Sequence, residues 1–188
     1  MLAVRKPEPP KEPTRERIIS TASAQILLKG ITNTSLADIA KAIKISKGTL
    51  YYHFRSKDSL IEEIARKNFD EVATRIREEL EKKPAKKGKD VVALAIEALT
   101  IERKNAKIVH LIFLEILHGN RKLGMKILKI YQEMKKTIFE AILPFCKDDS
   151  EAARLTALIL ALAEGANLGN MLGMNEVDAV DIVKYLRV

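Results

Sequence analysis

Between Lys47 and Lys57 the chain sets out Lys47, Gly48, Thr49, Tyr51, Tyr52, His53 and Lys57 with no carboxylate among them. These side chains offer hydroxyls, aromatic rings and cationic tips. Such groups can hydrogen-bond base edges in a major groove and neutralise phosphates. Helical spacing sorts them. Leu50 and Phe54 are four apart, so they share one face and can pack onto Ile39, Ile43 and Ile45. At 3.6 residues per turn Gly48, Thr49, Tyr51 and Tyr52 fall largely on the other side. An exposed face with two tyrosines and no acid is more than solubility requires. The plainer alternative is a small three-helix core with incidental surface tyrosines.

The elements that must position this face are legible around it. In residues 34–57, TSLADIAKAIKISKGTLYYHFRSK, Ser35 can cap a first helix, and Asp38 three positions on makes a variant capping box. Leu36, Ile39, Ala40 and Ile43 then recur at helical spacing. Lys44 and Ile45 break the pattern, and Ser46 can cap a second helix over Lys47 to Phe54. Upstream, Thr14 can cap a helix to Leu28 that turns Ile18, Ile19, Ala22, Ile26 and Leu27 inward, with Gly30 as its stop. Downstream, Ser56 can cap a long helix, 57–82, with an apolar stripe of Leu60, Ile61, Ile64, Phe69, Val72, Ile76 and Leu80.

The run SLADIAKAIKISKGTLYYHFRSKDSLIEEI, residues 35–64, resembles the DNA-binding region of the TetR family of transcriptional repressors. Ile39-Ala40, Ile45 to Tyr51, His53-Phe54, Lys57 and Leu60 carry the likeness, at fixed spacing and without gaps, over roughly residues 15–65. The chain departs from the family at Lys44, where glycine is usual. A turn there often needs positive φ, which costs a non-glycine residue about 1 kcal/mol. Tyr52 stands at a position that varies in the family and bears on which operator is read. The resemblance implies a helix-turn-helix head, an operator of double-stranded DNA, dimerisation through the two final helices and an effector pocket in the body.

Charge agrees with a nucleic-acid partner. The segment 1–60 holds eleven Lys/Arg against five Asp/Glu, a net of +6, while the whole chain is +8. The segment 61–188 therefore carries only +2. Positive charge gathers at the end bearing the motif, as counterion release on phosphate binding favours.

The body reads as all helix. Hydrophobic content of 47% supports a real core, and no long stretch alternates with period two. Helices are expected near 90–104, 106–118, 121–143, 149–172 and 176–186, with Asp149 and Asn175 as caps and Pro144 ending the third. PAKKGKD, 84–90, reads as a linker or loop. Four prolines in residues 1–13 mark a disordered tail. The expected domains are thus a tail, 1–13; a helix-turn-helix domain, 14–60; and an effector-binding and dimerisation domain, 61–188. A single Cys146 excludes an intrachain disulfide. With no apolar leader evident, this fits a reducing cytoplasm. The apolar run from Leu155 to Asn175 is broken by Glu164 and three asparagines, so it reads as a buried helix and not a membrane span.

Ala157, Ala161, Gly165, Gly169 and Gly173 recur every four residues in that run. A helix apolar all round is expected to be buried all round. A row of small residues admits another helix closely. Interior glycines each cost up to about 1 kcal/mol relative to alanine, so a compensating contact is expected. The expected contact is a two-fold homodimer through Ala161, Gly165, Gly169, Val180 and Val183, which would suit a palindromic operator. Packing within one chain is the alternative. For an effector, His110, Phe113, Leu114, Tyr131, Met134, Asn167 and Met171 mix apolar bulk with polar tips. They point to a fatty-acyl or other hydrophobic or amphipathic ligand.

Enzyme chemistry has little support. Glu115 and His118 form one Glu-x-x-His, whereas di-iron bundles need two and two further glutamates. No zinc spacing, nucleophile elbow or phosphate loop occurs. No metal, cofactor or catalytic residue is expected. A helical interaction module that never touches DNA is the remaining alternative.

Overall fold

The computed structural model describes residues 13–82, 88–100 and 103–174, which contain eight α-helices and no strand. They are α1 (Thr14–Lys29), α2 (Leu36–Ala42), α3 (Lys47–His53), α4 (Lys57–Lys82), α5 (Gly88–Thr100), α6 (Arg103–Leu117), α7 (Arg121–Ile142) and α8 (Asp149–Leu172). The expected tail and the helix expected at 176–186 lie outside the described residues, apart from Pro13. So do Asn175, Val180 and Val183. The chain divides into two compact units, with the boundary between Leu60 and Ile61.

In the head, α1 packs on α2 and α2 on α3. Ile18, Ile19, Ala22, Ile26, Ile39, Ala40, Leu50 and Phe54 are buried. Each short helix is started by a side chain. Ser35 Oγ accepts from Asp38 N at 3.1 Å, and Ser46 Oγ accepts from Thr49 N at 3.0 Å. These bonds satisfy amides that so short a helix leaves largely unpaired. At α4, Ser56 and Ser59 cap reciprocally, each hydroxyl accepting the other's amide at 3.1 Å.

Three sequence expectations about ends are corrected. Pro13, not Thr14, occupies the cap of α1, and no side chain caps it. Proline's fixed φ suits the entry to a helix, and Thr14 is already helical. Asp148, not Asp149, caps α8. Its extended backbone lets the carboxylate accept from Glu151 N at 2.7 Å, while Glu151 accepts in turn from Lys147 N. α5 begins at Gly88, inside the stretch 84–90 expected as a linker or loop.

In the body, α8 packs against α5, α6 and α7, and α6 against α7. The amphipathic α7 buries Leu123, Ile127, Ile130, Met134, Ile138 and Ile142, every third or fourth residue. Asn120 caps it through Leu123 N at 3.1 Å. A 3₁₀ turn at Leu143–Phe145, containing Pro144, follows it. By length and composition α8 could cross a membrane. Here it has a packed side instead, with Ala152, Leu155, Thr156, Ile159, Leu160, Ala163 and Asn167 buried.

One close approach in the body depends on glycine. A Cβ at Gly124 in α7 would stand 2.9 Å from Cγ2 of Ile116 in α6. That is below van der Waals contact, and a β-branched Ile116 has few rotamers to yield with. Gly124→Val should lower the urea midpoint, with a loss of about 1–3 kcal/mol from overpacking. A midpoint equal to wild type would mean the hairpin of α6 and α7 is not held this closely.

Candidate functional site

The turn between α2 and α3 sets the face that α3 presents. Lys44 adopts φ 57°, the left-handed conformation that a glycine would take without strain. The strained turn is held from several sides. Ile45 N donates to Ala40 O at 3.0 Å and Lys44 N to Lys41 O at 3.2 Å. From α1, the Arg17 guanidinium donates to Ile43 O at 2.9 Å. Arg15 lies over the Phe54 ring, 5.3 Å from its centroid. Neither arginine stands out in the sequence, because nothing local signals a contact made so far along the chain.

With Leu50 and Phe54 buried, the opposite side of α3 is open. Lys47, Gly48, Thr49, Tyr51 and Tyr52 are exposed. Tyr52 is 84% exposed and Tyr51 52%, so neither contributes its main area to the core. Tyr52 meets the half-buried His53 ring edge-on, with centroids 5.3 Å apart. The Thr49 hydroxyl is engaged with Ser46 Oγ at 2.8 Å, which fixes its orientation. Ser35 is exposed where α2 begins. Beside it, Asp38 is held below the ordinary carboxylate range, first by the Ser35 hydroxyl and then by Lys29, 3.1 Å away. Lys57 is half-buried and donates to Thr32 O at 3.3 Å, so it also ties the α1–α2 turn to the start of α4.

The body holds a separate feature. A cavity of about 50 Å³ is bordered by Asn68 and Phe69 of α4, His110 of α6, Met134 of α7, and Glu164 and Asn167 of α8, among others. Of the residues expected from sequence, His110, Met134 and Asn167 border it. Tyr131 stands next to it, edge-on to Phe69 with centroids 6.1 Å apart. Phe113, Leu114 and Met171 do not border it. Leu114 is 48% exposed and Met171 38%. They fall on the solvent side because phase drifts along a long helix and a sequence pattern does not fix it. Asn68 and Glu164 are additions that the sequence does not signal. A lone polar residue in an apolar stripe says nothing of what it faces.

The cavity is polar at one end. Burial pushes the Glu164 carboxyl above its ordinary range, partly offset by His110. Burial, then Glu164, pushes the Tyr131 phenol up as well. His110 Nε2 is 3.4 Å from the Glu164 carboxylate, and Nδ1 is 2.9 Å from Ala106 O. Among the described residues no three His, Cys, Asp or Glu gather as a metal site, and Glu115 and His118 acquire no further ligand.

Residues 18–64 match the family described as bacterial regulatory proteins, tetR family. The transcriptional regulator AcrR of Shigella flexneri is 26% identical over 112 residues, 58% of this chain and 52% of that protein. UidR of Escherichia coli strain K12 is 39% identical over 70 residues, 37% of this chain and 36% of that protein. The chain thus spans about half or less of the curated relatives it matches. A regulator from Saccharomonospora viridis, solved with choline, superposes with a TM-score of 0.69 at 23% identity, covering 91% of this chain and 92% of the other. At that identity the likeness speaks for the fold, and it extends over the body as well as the head. Residues 18–64 thus carry a tetR-family regulatory domain in sequence, and the fold around it is shared with a solved regulator over 91% of the chain.

Proposed function

We propose that this chain is a homodimeric, ligand-responsive transcriptional regulator of the cytoplasm that represses by occupying a palindromic operator. The observation that carries the reading is the exposed, acid-free face of α3, with Tyr51 and Tyr52 outward and Leu50 buried behind them. In this reading α3 enters the major groove. Thr49, Tyr51 and Tyr52 meet bases or sugars; Lys47, His53 and Lys57 serve phosphates; and Gly48 lets the backbone approach. Ser35 sits by a phosphate at the start of α2.

Dimerisation is supported by the outer side of α8. Ala157, Ala161, Gly165, Leu168 and Leu172 are exposed along it, and Gly169 is half-buried. A Cβ at Gly165 would meet nothing within 4 Å. Among the described residues nothing offsets the cost of that glycine. A second α8 lying across the row would. The interaction-module alternative lacks a comparable observation, since it leaves the face of α3 without a role.

The body cavity supports an effector site, and the choline held by the Saccharomonospora protein supports a small-molecule ligand for this fold. At about 50 Å³ the cavity holds a few water-sized groups. A fatty-acyl or other long effector would have to push the helices apart. That is also what a release mechanism needs, because the effector must prefer the state that does not bind DNA. A drop in operator affinity of about 100-fold needs about 2.7 kcal/mol of such preference. α4 is the natural lever, being one continuous helix from Lys57 to Lys82.

Fluorescence anisotropy with duplexes from the chain's own promoter tests the DNA reading. Lys57→Ala should weaken binding to every sequence and flatten the log–log salt slope by about one unit. Tyr52→Ala should instead change sequence preference and leave the fold intact. A folded Tyr51→Ala, Lys57→Ala double variant that binds as wild type removes α3 from the interface and favours the interaction module.

Sedimentation tests the dimer. In the isolated chain Gly165→Leu meets open space and replaces a poor helix former, so the monomer should keep its helicity. Between two α8 helices the same leucine overpacks the contact by about 1–3 kcal/mol or more per site. A folded monomer that has lost operator affinity is expected. A wild-type chain that is monomeric at micromolar concentration rules the dimer out.

A further inference from the structure

The polar end of the body cavity is short of donors. Asn68 is buried, with 7% of its surface exposed. Its Nδ2 donates to Ile64 O at 2.6 Å, so the amide orientation is set: turned over, it would put oxygen against oxygen. Oδ1 is then left buried without a protein partner. His110 is fixed in the same way. Nδ1 faces the Ala106 carbonyl at 2.9 Å, so it carries a hydrogen and the ring orientation is set. Its Nε2 faces the Glu164 carboxylate at 3.4 Å, so one shared proton joins that pair and leaves the other carboxylate lone pairs as acceptors. Asn68, His110 and Glu164 come from three different helices and border one cavity.

The other charged groups around the cavity do not supply what is missing. Glu71 is a further acid, exposed where the cavity meets solvent. The Arg75 guanidinium is directed at Ala98 O, 3.5 Å away. Burial disfavours the Glu164 charge, which a cation inside the cavity would restore. Phe69, Val109, Met134 and Leu160 form an apolar wall beside the polar end. A site with acceptors converging at one end and apolar walls elsewhere selects a ligand with a donor-bearing positive head and an alkyl or aryl tail.

We propose that the effector is an amine, whose protonated N–H group donates to Asn68 Oδ1 and the Glu164 carboxylate while its tail lies along Phe69 and Met134. This rests on the reading of the body as an effector domain and narrows it. An acyl carboxylate of the same length would bring a second anion against Glu164 and leave Asn68 Oδ1 without a donor. A quaternary ammonium brings the charge but no N–H.

The test is calorimetric titration of the full-length protein with hexylamine, hexanoate, hexanol and hexyltrimethylammonium, with operator binding measured on the same preparations. Hexylamine should bind at least tenfold more tightly than hexanoate or hexanol, and more tightly than hexyltrimethylammonium. Glu164→Gln and Asn68→Leu should each weaken hexylamine at least tenfold and leave hexanol unchanged. Asn68→Leu also removes a buried oxygen that has no partner, so the unliganded variant should melt no lower than wild type, which keeps loss of binding distinct from loss of fold. The proposal is overturned if hexanoate or hexanol binds as tightly as hexylamine, or if both variants bind hexylamine as wild type does. It is also overturned if no compound binds, in which case a resident water satisfies Asn68. Intact operator binding alongside any of these results leaves the regulator standing and removes only the ligand class. Amine binding by a protein that ignores DNA removes the regulator and keeps the site.

Discussion

The head depends on one constraint: α3 is too short to hold its own shape. A helix of two turns is unstable alone, since nucleation costs more than so few hydrogen bonds return. Its form and its rotation are imposed from outside. Ser46 satisfies the first amides. Leu50 and Phe54 bury on one side. Arg17 holds the carbonyl just before the turn. Once those three are in place there is no freedom left in which residues face outward. Tyr51 and Tyr52 are exposed because Leu50 is not. The strained Lys44 fits the same account. A left-handed lysine costs about 1 kcal/mol, which is small beside the burial of two large side chains at roughly 1.5–3 kcal/mol each.

That logic explains why the head is legible in the sequence. Its signals are local: Ser35 and Ser46 as caps, Leu50 and Phe54 at four-residue spacing, Gly30 where α1 stops with φ 82°. The body is legible only as a set of helices. Which residues face the cavity depends on the rotation of α4, α6, α7 and α8 about their own axes. An error of a single position in phase is about 100° of rotation, enough to send Leu114 and Met171 to solvent. Asn68 and Glu164 are unreadable for a related reason. Each is a polar residue whose meaning comes from groups on other helices. Arg17 shows the same limit in the head, where a charged residue in α1 gives no hint that it braces the turn after α2.

The sequence of α8, apolar all round, leads to the expectation of burial all round, and the observed helix refines that. One side, with Leu155, Ile159, Leu160 and Ala163, is buried in the body. The other, with Ala157, Ala161, Gly165 and Leu168, is open among the described residues. Apolar character on both sides then reflects two separate demands on one helix, the first met by folding. Small residues gather on the open side, where close approach of another helix is the benefit. Large ones gather on the buried side, where filling volume is.

Between these two sides stands Glu164, on the same helix as the open row and immediately before Gly165. A buried oxygen without a partner costs about 1–3 kcal/mol, and a native body tolerates such a group only where something returns the cost. Asn68 Oδ1 is such a cost, and it borders one small cavity together with His110 and Glu164. A core selected for stability alone would place leucine at 68, as it does at Leu60 and Leu80 of the same helix. Keeping acceptors there makes the unliganded body less stable than it could be. Any molecule that supplies donors then stabilises whichever packing of α4, α6 and α8 admits it. Because α4 runs unbroken from the body to Lys57, which is tied to the α1–α2 turn, a change in its packing has a covalent route to the residues beside α3. In the proposed regulator, the polar defect in the core is where the ligand acts and the head is where its effect is felt, with local instability kept where a ligand can relieve it.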